Sequence, residues 1–435
     1  MARHLFGTDG VRGLAGEKLT AELALALGRA ATEQAGGAGT RVLVIRDTRE
    51  SGEMLEAALA AGITAAGGEA LLGGVLPTPA APLLIAQYGF DVGVVVSASH
   101  NPYQDNGIKF FGADGLKLTD AAEEAIEARV EAGAGAGLQI GRVRELHGTQ
   151  EDYLRALETR FAGLDLAGIS LLLDCAHGAT YRVGPEIFRR LGASVTVIGD
   201  EPDGRNINDG VGSTHIEALA AAVVAGGHDL GFAFDGDGDR VLAADRSGAT
   251  VDGDELIALA AIHLRASGRL SGNGVVVTVM TNYGFHTAMA EADIGVATAD
   301  VGDRYVLAEL RERGWTLGGE QSGHIIDMGF VPSGDGIASA LLTLEALAGA
   351  DLAERSAMQK LPQQLVNVKV ADKATALEAV AAPAADEGEK LSGRGRVLVR
   401  ASGTEQLVRV MVEAPDAEEC EAICARLVAV VEAAS

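Results

Sequence analysis

Three aspartates alternate with glycines directly after an apolar run, in the segment FAFDGDGDRV. They are Asp235, Asp237 and Asp239, and the small glycines between them let the backbone curl until the carboxylates converge on one point. Three carboxylates so close together repel one another unless a cation compensates them, and hard oxygen ligands suit Mg²⁺. An EF-hand loop would need Gly and Glu where this chain has Arg240 and Arg246, so that interpretation fails. We therefore predict a magnesium site rather than a solvated acidic turn.

A second polar segment, SASHNPYQDNG, follows the apolar run VGVVV and contains Ser99 and His100. Adjacent side chains are expected to point in different directions, which makes His100 a poor base for Ser99, and no G-x-S-x-G elbow is present. A hydrolase triad with a remote histidine stays open. A serine that carries a phosphoryl group beside Mg²⁺ accounts for both motifs. A turn predicted over residues 105–107 presents Lys109 to the transferring group.

Two further segments have side chains that suit a phosphosugar. In GGEQSGH, Glu320 and Ser322 can bind vicinal hydroxyls and His324 can transfer a proton, although glycine-rich loops with a glutamate are common. In VRASGTEQLVR, two guanidiniums, two hydroxyls and a glycine form a candidate phosphate cradle, the alternative being a hairpin with solvated arginines. The cradle residues are Arg400, Ser402, Gly403, Thr404 and Arg409, and Arg12 in GTDGVRG adds an ambiguous cation on a glycine-flanked loop.

The order of elements that must position these residues is strand, loop, helix, repeated. RVLVI, SLLLD and GVVVTVM are short apolar runs followed by Ala-rich stretches, and each has a companion strand 40–60 residues downstream. Continuous apolar runs between helices favour parallel strands covered on both faces, and open α/β sheets bind ligands at strand ends. We predict three similar α/β domains with mixed or parallel sheets and a smaller C-terminal α+β domain closed by a helix over 417–433. Residues 132–141 and 381–395 are predicted surface connections.

Composition limits the function classes. Lys and Arg total 35 against 61 Asp and Glu, a formal net charge of −26, so nucleic acid and anionic membranes are not expected partners. Any phosphate must be bound by a local cluster of positive groups. Cys175, Cys420 and Cys424 form no disulfide framework, and the last two are expected to pack inside a helix. With no apolar signal core in MARHLFGTDG, a cytoplasmic protein is predicted.

Six segments occur in order along essentially the whole chain: GTDGVRG, SASHNPYQDNGIKFF, DGDGDR, VGDRYV, GGEQSGH and RASGTE. Together they resemble the α-D-phosphohexomutase superfamily, and GEQSGH resembles its bacterial glucosamine branch, since phosphomannomutase/phosphoglucomutase relatives typically have Met in place of Gln321. The resemblance implies four domains around a central cleft, and each domain supplies one loop to that cleft. The expected domains are residues 1–153, 154–252, 253–364 and 365–435. One departure is Gln406, where family members usually have Pro, and its free φ is expected to loosen the phosphate loop.

The same resemblance implies a role for each matching residue. Ser99 is the phosphoserine and binds Mg²⁺ together with the three aspartates, while Glu320 and Ser322 contact sugar hydroxyls. The cradle grips the non-reacting phosphate. Arg12, Lys109 and His324 lie near the transferring phosphoryl group.

The implied activity is interconversion of glucosamine 6-phosphate and glucosamine 1-phosphate, on the route to UDP-N-acetylglucosamine and the cell wall. It proceeds through a phosphoserine enzyme and a 1,6-bisphosphate intermediate that turns around in the cleft. The resemblance also suggests a homodimer, for which the residues themselves show no pattern. Three alternatives stay open: a phosphomannomutase or phosphoglucomutase, a phosphatase, and a non-catalytic sugar-phosphate sensor.

Overall fold

A computed structural model of the chain describes residues 4–7, 9–133, 139–402 and 405–434. The chain divides into two compact units. The first consists of Met1–Val279 with Ala297–Arg355, and the second of Met280–Val296 with Ser356–Ser435. Among the described helices, none has the length and apolar character needed to cross a bilayer.

The first sheet of the larger unit has six strands. In chain order they are β1 (Val11–Leu14), β2 (Arg41–Arg46), β3 (Glu69–Val75), β4 (Val92–Val96), β5 (Asp105–Gly112) and β6 (Arg142–Glu145). Their order is β1-β5-β4-β2-β3-β6, in which β4, β2, β3 and β6 are parallel while β5 and β1 are antiparallel. The apolar runs of β2 and β4 are buried because helices cover the sheet: α1 (Ala21–Gln34), α2 (Ser51–Ala65), α3 (Ala80–Tyr88) and α4 (Asp120–Ala132).

The second sheet follows the same plan. Its strands are β7 (Ser170–Asp174), β8 (Ser194–Ile198), β9 (Leu230–Phe234), β10 (Val241–Asp245) and β11 (Thr250–Val251). The order is β11-β10-β9-β7-β8, with β9, β7 and β8 parallel. The accompanying helices are α5 (Thr149–Arg160), α6 (Val183–Arg190) and α7 (Ile216–Gly226).

The third sheet is shorter. Its strands are β12 (Gly274–Thr278), β13 (Gly295–Ala299), β14 (Leu317–Gly319) and β15 (Ile325–Asp327), in the order β13-β12-β14-β15. The helices of this segment are α8 (Gly253–Ala266), α9 (Tyr283–Glu291), α10 (Asp303–Arg313) and α11 (Gly336–Leu347). A reciprocal capping box between Asp252 and Glu255 fixes the start of α8.

The C-terminal segment is an antiparallel sheet with two helices. Strands β16 (Gln363–Lys369), β17 (Arg396–Ala401) and β18 (Leu407–Glu413) lie in the order β16-β18-β17, and the helices are α12 (Lys373–Lys390) and α13 (Ala417–Ala433). Alternate residues of β18, Val408, Val410 and Val412, are buried against the helices together with Cys420 and Cys424. The two cysteines are thus core residues, as the sequence predicts.

The predicted fold class is confirmed: three mixed α/β sheets and one smaller antiparallel α+β segment. The predicted connection over 381–395 is wrong for residues 381–390, because α12 continues through Pro383 to Lys390, and only residues 391–395 connect this helix to β17. An interior proline costs about 3 kcal/mol, but Ala376 and Val380 of this helix are buried in the C-terminal core, and good helix formers surround the proline. Of the other predicted connection, residues 134–138 lie outside the described residues.

Candidate active site

The carboxyl ends of two strands bring the serine motif and the aspartate motif together. Ser99 lies three residues beyond β4, and Asp235 follows β9 directly. A cavity of about 530 Å³ opens at this point. Its lining combines the serine loop, the aspartate loop, residues 301–305 and the GGEQSGH segment, and it includes Arg12, Ser99, Asp239, Glu320 and His324.

The Ser99 side chain is turned toward the aspartates. Ser99 is buried with a left-handed φ of 53°, and its Oγ donates a hydrogen bond to Asp235 Oδ2 at 2.5 Å. Ser99 Oγ also lies 3.3 Å from His100 Nδ1, so the expectation that these two side chains diverge is wrong. It assumed the alternation of an extended strand, which a left-handed residue interrupts. Burial, followed by the charges of Arg240 and Arg12, lowers the pKa of His100 to about 4, and its imidazole is neutral at pH 7.

The three aspartates form a buried cluster. Asp235, Asp237 and Asp239 each offer a carboxylate oxygen within 4.8 Å of the others. Asp237 Oδ1 and Asp239 Oδ1 are buried and have no hydrogen-bond partner among the described residues, an arrangement that costs free energy unless a ligand compensates it. Burial and mutual repulsion raise the pKa of Asp235 and of Asp239. An oxygen-only cluster with unpartnered oxygens fits a hard divalent cation, which would satisfy the oxygens and remove the repulsion.

One aspartate of the cluster is held ionised by neighbouring donors. Burial would raise the pKa of Asp237, but Lys109 and Thr78 hold it below its usual range. Lys109 Nζ donates to Asp237 Oδ2 at 2.8 Å and lies 3.2 Å from Asp9 Oδ2, and Thr78 Oγ1 donates to Asp237 Oδ2 at 2.7 Å. Burial would lower the pKa of Lys109, but Asp237 and Asp9 raise it above its usual value. Lys109 is therefore a fixed positive charge behind the aspartate cluster.

The predicted turn over residues 105–107 is wrong, because these residues begin β5 and pair with β1. Gly107 lies opposite Arg12 in that pairing, which places the arginine at the cavity. One terminal nitrogen of Arg12 contacts Asp9, while Nη1 lies 3.5 Å from the carbonyl oxygen of Ala98. Lys109 is presented from within a strand, toward the carboxylates.

Two glycines allow the loops to approach one another. A Cβ at Gly236 would lie 2.5 Å from the Ser99 carbonyl oxygen, so only glycine lets the aspartate loop pass this close to the serine. Gly323 has a φ of +88°, and a Cβ there would lie 2.1 Å from the Val241 carbonyl oxygen. The Val241 N–H donates to the Gly323 carbonyl at 3.0 Å. The GGEQSGH segment is thereby fastened to the strand that follows the aspartates.

The predicted sugar-binding residues of GGEQSGH differ in exposure. Glu320 lines the cavity, and its Oε1 accepts the Gly302 N–H at 3.0 Å. His324 is buried at the cavity, with Nε2 3.7 Å from Asp239 Oδ2. Ser322 is exposed to solvent. Gln321, on which the resemblance to the glucosamine branch rests, donates through Nε2 to Asp252 Oδ2 at 3.2 Å and is not among the residues that line this cavity.

The predicted phosphate cradle lies in the second unit. Arg400 lies one residue before the end of β17, and its Nη2 is 3.2 Å from Met280 Sδ. Arg409 of β18 is opposite Arg400 in the sheet. Ser402 is buried, and its carbonyl accepts a hydrogen bond from Lys373 Nζ at 2.9 Å. Arg409 Nε has no hydrogen-bond partner among the described residues. The remaining predicted residues, Gly403 and Thr404, lie outside the described part of the chain.

Sequence reasoning missed several residues around Ser99. Arg49 and Asp47 are fully buried behind the serine loop. Asn208 contacts the same loop from a turn that follows β8, and Arg240 lines the cavity. Arg49 could have been found from RDTR at the end of β2, next to β4 in the sheet. Nothing in the local pattern around Asn208 indicates its contact, which depends on the packing of two sheets.

The family models that match this chain identify it as a phosphohexomutase. Four family models describe phosphoglucomutase/phosphomannomutase domains: α/β/α domain I over residues 3–136, domain II over 151–248, domain III over 252–367 and the C-terminal domain over 365–430. The chain belongs to the phosphoglucomutase/phosphomannomutase family, as its six motifs predict.

Curated proteins similar to this chain include phosphoglucosamine mutases. The protein of Moorella thermoacetica is 52% identical over 97% of this chain and 98% of its own length. That of Mycobacterium ulcerans is 51% identical over 99% of both chains. The resemblance to the glucosamine branch is thereby confirmed.

Solved structures show the same fold. A phosphoglucomutase/phosphomannomutase family protein of Burkholderia thailandensis matches with a TM-score of 0.84 at 25% identity, over 99% of this chain and 97% of its own. The N-acetylphosphoglucosamine mutase of Aspergillus fumigatus, solved with GlcNAc-6P and magnesium, matches with a TM-score of 0.68 at 18% identity, over 99% and 96%.

Proposed function

We propose that this chain interconverts glucosamine 6-phosphate and glucosamine 1-phosphate, with Ser99 as the phosphoryl carrier. The observation that carries the proposal is the contact between Ser99 Oγ and Asp235 at 2.5 Å, within a buried cluster of three carboxylates. The assignment of glucosamine phosphate as the substrate is supported by phosphoglucosamine mutases that are 51–52% identical to this chain over nearly its full length.

The chemistry is two phosphoryl transfers of opposite direction. Phosphorylated Ser99 donates to the 1-hydroxyl of glucosamine 6-phosphate: the Oγ–P bond breaks, an O1–P bond forms, the 1-hydroxyl gives its proton to a base, and Oγ takes up a proton to become the serine hydroxyl. The 1,6-bisphosphate turns around for the second transfer. Ser99 Oγ then gives up its proton and forms an Oγ–P bond, the O6–P bond breaks, and O6 takes up a proton, which leaves glucosamine 1-phosphate. His324 is the proposed base, because it is buried at the cavity and its Nδ1 has no hydrogen-bond partner among the described residues.

Charge neutralisation is the main task of the surrounding residues. Asp235, Asp237 and Asp239 would hold Mg²⁺ together with an oxygen of phosphorylated Ser99. When bound, Mg²⁺ offsets the charge of the transferring phosphoryl group. Arg12 at the cavity and Lys109 behind the aspartates add fixed positive charge. Since Lys109 is kept protonated by two carboxylates, we assign it this electrostatic role and not that of a base.

The sugar and its second phosphate need separate contacts. We assign the sugar hydroxyls to Glu320 and Ser322. The phosphate that does not react is assigned to a single cradle, which must accept either end of the sugar because the intermediate turns around: Arg400, Ser402, Gly403, Thr404 and Arg409. The four domain limits, a homodimer and a cytoplasmic location stay predictions.

The test is conversion of glucosamine 6-phosphate to the 1-phosphate with Mg²⁺ and a hexose 1,6-bisphosphate primer. We expect turnover by the wild type and by Ser392→Ala, an exposed serine used as control, and none by Ser99→Ala. Phosphate release that matches sugar consumption would indicate a phosphatase instead. A primed protein that is never phosphorylated on Ser99 and never turns over would indicate a sensor. Faster turnover of glucose or mannose 6-phosphate would transfer the assignment to the phosphoglucomutase or phosphomannomutase branch.

A further inference from the structure

We propose that Arg49 is a positioning residue for phosphoryl transfer, a buried guanidinium that fixes the Ser99 loop through its carbonyl oxygens. The inference rests on the proposed role of Ser99 as phosphoryl carrier. Arg49 lies in the RDTR segment just beyond β2, is fully buried, and does not line the cavity. It can therefore act on the reaction only through the loop that it holds.

Every N–H donor of the Arg49 side chain has an acceptor. A guanidinium carries five donors in a rigid planar fork. Nε donates to a buried carboxylate, and the two terminal nitrogens donate to four backbone carbonyls of one loop. The five acceptors are Asp47 Oδ2 at 2.9 Å, Ser99 O at 2.9 Å, Asn101 O at 2.8 Å, Asp105 O at 2.9 Å and the carbonyl of Pro102. Only an arginine can serve five acceptors from one point, because a lysine has three donors and no fork.

The carboxylate behind Arg49 connects to the same loop by a second route. Asp47 Oδ2 accepts from Ser97 Oγ at 2.5 Å, and Ser97 Oγ accepts from the Ser99 N–H at 3.0 Å. From the turn that follows β8, Asn208 Nδ2 donates to the Ser99 carbonyl at 2.9 Å. Both backbone groups of Ser99 are thus bound by side chains that are themselves buried. This accounts for the left-handed φ of a non-glycine residue, which surrounding structure must stabilise.

The direction of these bonds has an electrostatic consequence. All peptide bonds described are trans, so the N–H of each peptide points away from its carbonyl. When Arg49 draws the Ser99 carbonyl inward, the same peptide turns the His100 N–H to the opposite side. The oxygen ends of the four carbonyls that Arg49 binds are thereby held on the Arg49 side of the loop, away from the side opposite this arginine. A phosphoryl group on Ser99 would otherwise be repelled by carbonyl oxygens that are free to rotate toward it.

The decisive variant is Arg49→Lys, which keeps the buried positive charge beside Asp47 and removes the fork. We expect a kcat lower by roughly 100-fold, the cost of a small misplacement of a reacting group, with a KM for the sugar phosphate within about threefold of the wild type. The matched control is Arg46→Lys, three residues earlier on β2, where the arginine pairs with Glu53 and Glu56 outside the cavity. Thermal unfolding checks that both variants are folded.

A folded Arg49→Lys with wild-type kcat overturns the proposal, and so does a raised KM with kcat intact, since that identifies a ligand-binding residue. If Arg49→Lys only lowered the stability, fewer molecules would be folded, but the kcat per folded molecule would equal that of the wild type. If Arg49→Lys does not fold, Ser97→Ala decides: we expect a kcat about tenfold lower at unchanged KM, and an unchanged kcat contradicts the proposal.

A second readout separates this inference from the proposed function. Mass spectrometry follows the rate at which a hexose 1,6-bisphosphate phosphorylates Ser99 in each variant, and it needs no mutase turnover. Slow phosphorylation in Arg49→Lys but not in Arg46→Lys supports the positioning role even if glucosamine 6-phosphate proves to be the wrong sugar. Equal phosphorylation rates in the two variants overturn the positioning role while the mutase assignment stands.

Discussion

Charged side chains on the two sides of the Ser99 loop differ in whether their polar atoms have hydrogen-bond partners. Behind the loop, every side-chain donor of Arg49 has an acceptor. At the cavity and in the aspartate cluster beside it, the Nε atoms of Arg12 and Arg240 and one oxygen each of Asp237 and Asp239 are buried without a hydrogen-bond partner among the described residues. Leaving buried polar groups unpaired costs stability, and this chain accepts that cost where a cation and a phosphate are expected.

The comparison gives a rule for assigning charged residues in this protein. A side chain whose donors and acceptors are all used holds structure in place, and its loss should change geometry or stability. A charged side chain of the proposed site that keeps an unpartnered buried atom is available to a ligand, and its loss should change affinity for a metal or substrate. Arg409, whose Nε is unpartnered, falls in the second group, and the pair of Tyr153 with Asp335 falls in the first.

The largest expected effect follows from breaking the aspartate cluster. Asp239→Asn removes one proposed metal ligand, and we expect activity to fall by at least roughly 100-fold, more than the loss of an outer partner of a metal site costs. Without Mg²⁺ the variant should be more heat-stable than the wild type, because burial and the neighbouring Asp237 disfavour the ionised carboxylate. Activity over a Mg²⁺ titration and thermal unfolding with and without Mg²⁺ measure both.

The control for this variant is Asp386→Asn, an exposed position on α12. An unchanged Mg²⁺ dependence in Asp239→Asn would remove the cluster from the metal site. A lower heat stability without Mg²⁺ would show that the aspartate stabilises the fold, against the comparison above.

A smaller and different effect is expected at the second unit. Among the described residues, Arg409 has an ion pair of 4.0 Å with Glu405, and its Nε has no hydrogen-bond partner. Arg409→Gln should raise the KM for glucosamine 6-phosphate about 10- to 100-fold, because it removes a hydrogen bond to a charged group, whose free energy corresponds to a change in affinity of that size. The kcat should change little. Steady-state kinetics test this beside Arg394→Gln, whose arginine pairs with Glu419 on the surface. A lower kcat at constant KM would place Arg409 with the positioning residues.

Asp335 should affect stability alone. Burial raises its pKa to about 7, above the ordinary value for aspartate, so the folded protein binds a proton that the unfolded chain releases near pH 4. The stability from this site is therefore complete below about pH 4 and is lost as the pH rises to 7, at about 1.4 kcal/mol per pH unit. Asp335→Asn should flatten this dependence in denaturant unfolding between pH 4 and 7 and leave kcat unchanged. An equal pH slope in both proteins would contradict the assignment.

The sequence predicted the sheets and the motifs because both leave local patterns. Buried runs such as RVLVI and SLLLD became strands β2 and β7, and DGDGDR became the carboxylate cluster since strand ends and alternating glycines restrict where its side chains can point. The helix through Pro383 was missed because tertiary packing outweighed a local helix breaker.

The parts of the site that the sequence did not predict depend on contacts between distant segments. Arg49 binds carbonyls more than fifty residues away, and Asn208 reaches the same loop from more than a hundred residues along the chain. RDTR at the end of β2 indicates an arginine near the strand ends, but backbone carbonyls carry no sequence signal, so the sequence does not show that Arg49 binds the Ser99 loop. The contact between Ser99 and His100 was missed for a related reason, a positive φ at a non-glycine residue.

The smallest expected effect concerns Gln406, where the sequence alone raised a doubt. Gln406 Nε2 donates to the Ala371 carbonyl at 2.9 Å on an exposed part of the loop, and Gln406→Pro would exchange that bond for a fixed φ. A proline compatible with the native backbone contributes roughly 0.4–1 kcal/mol through the unfolded state, and a surface hydrogen bond contributes about as much. The two terms nearly cancel, and the proposed phosphate ligands are unchanged. The KM for glucosamine 6-phosphate should therefore stay within about threefold of the wild type, and a larger fall would mean that the residue after SGTE sets the geometry of the cradle.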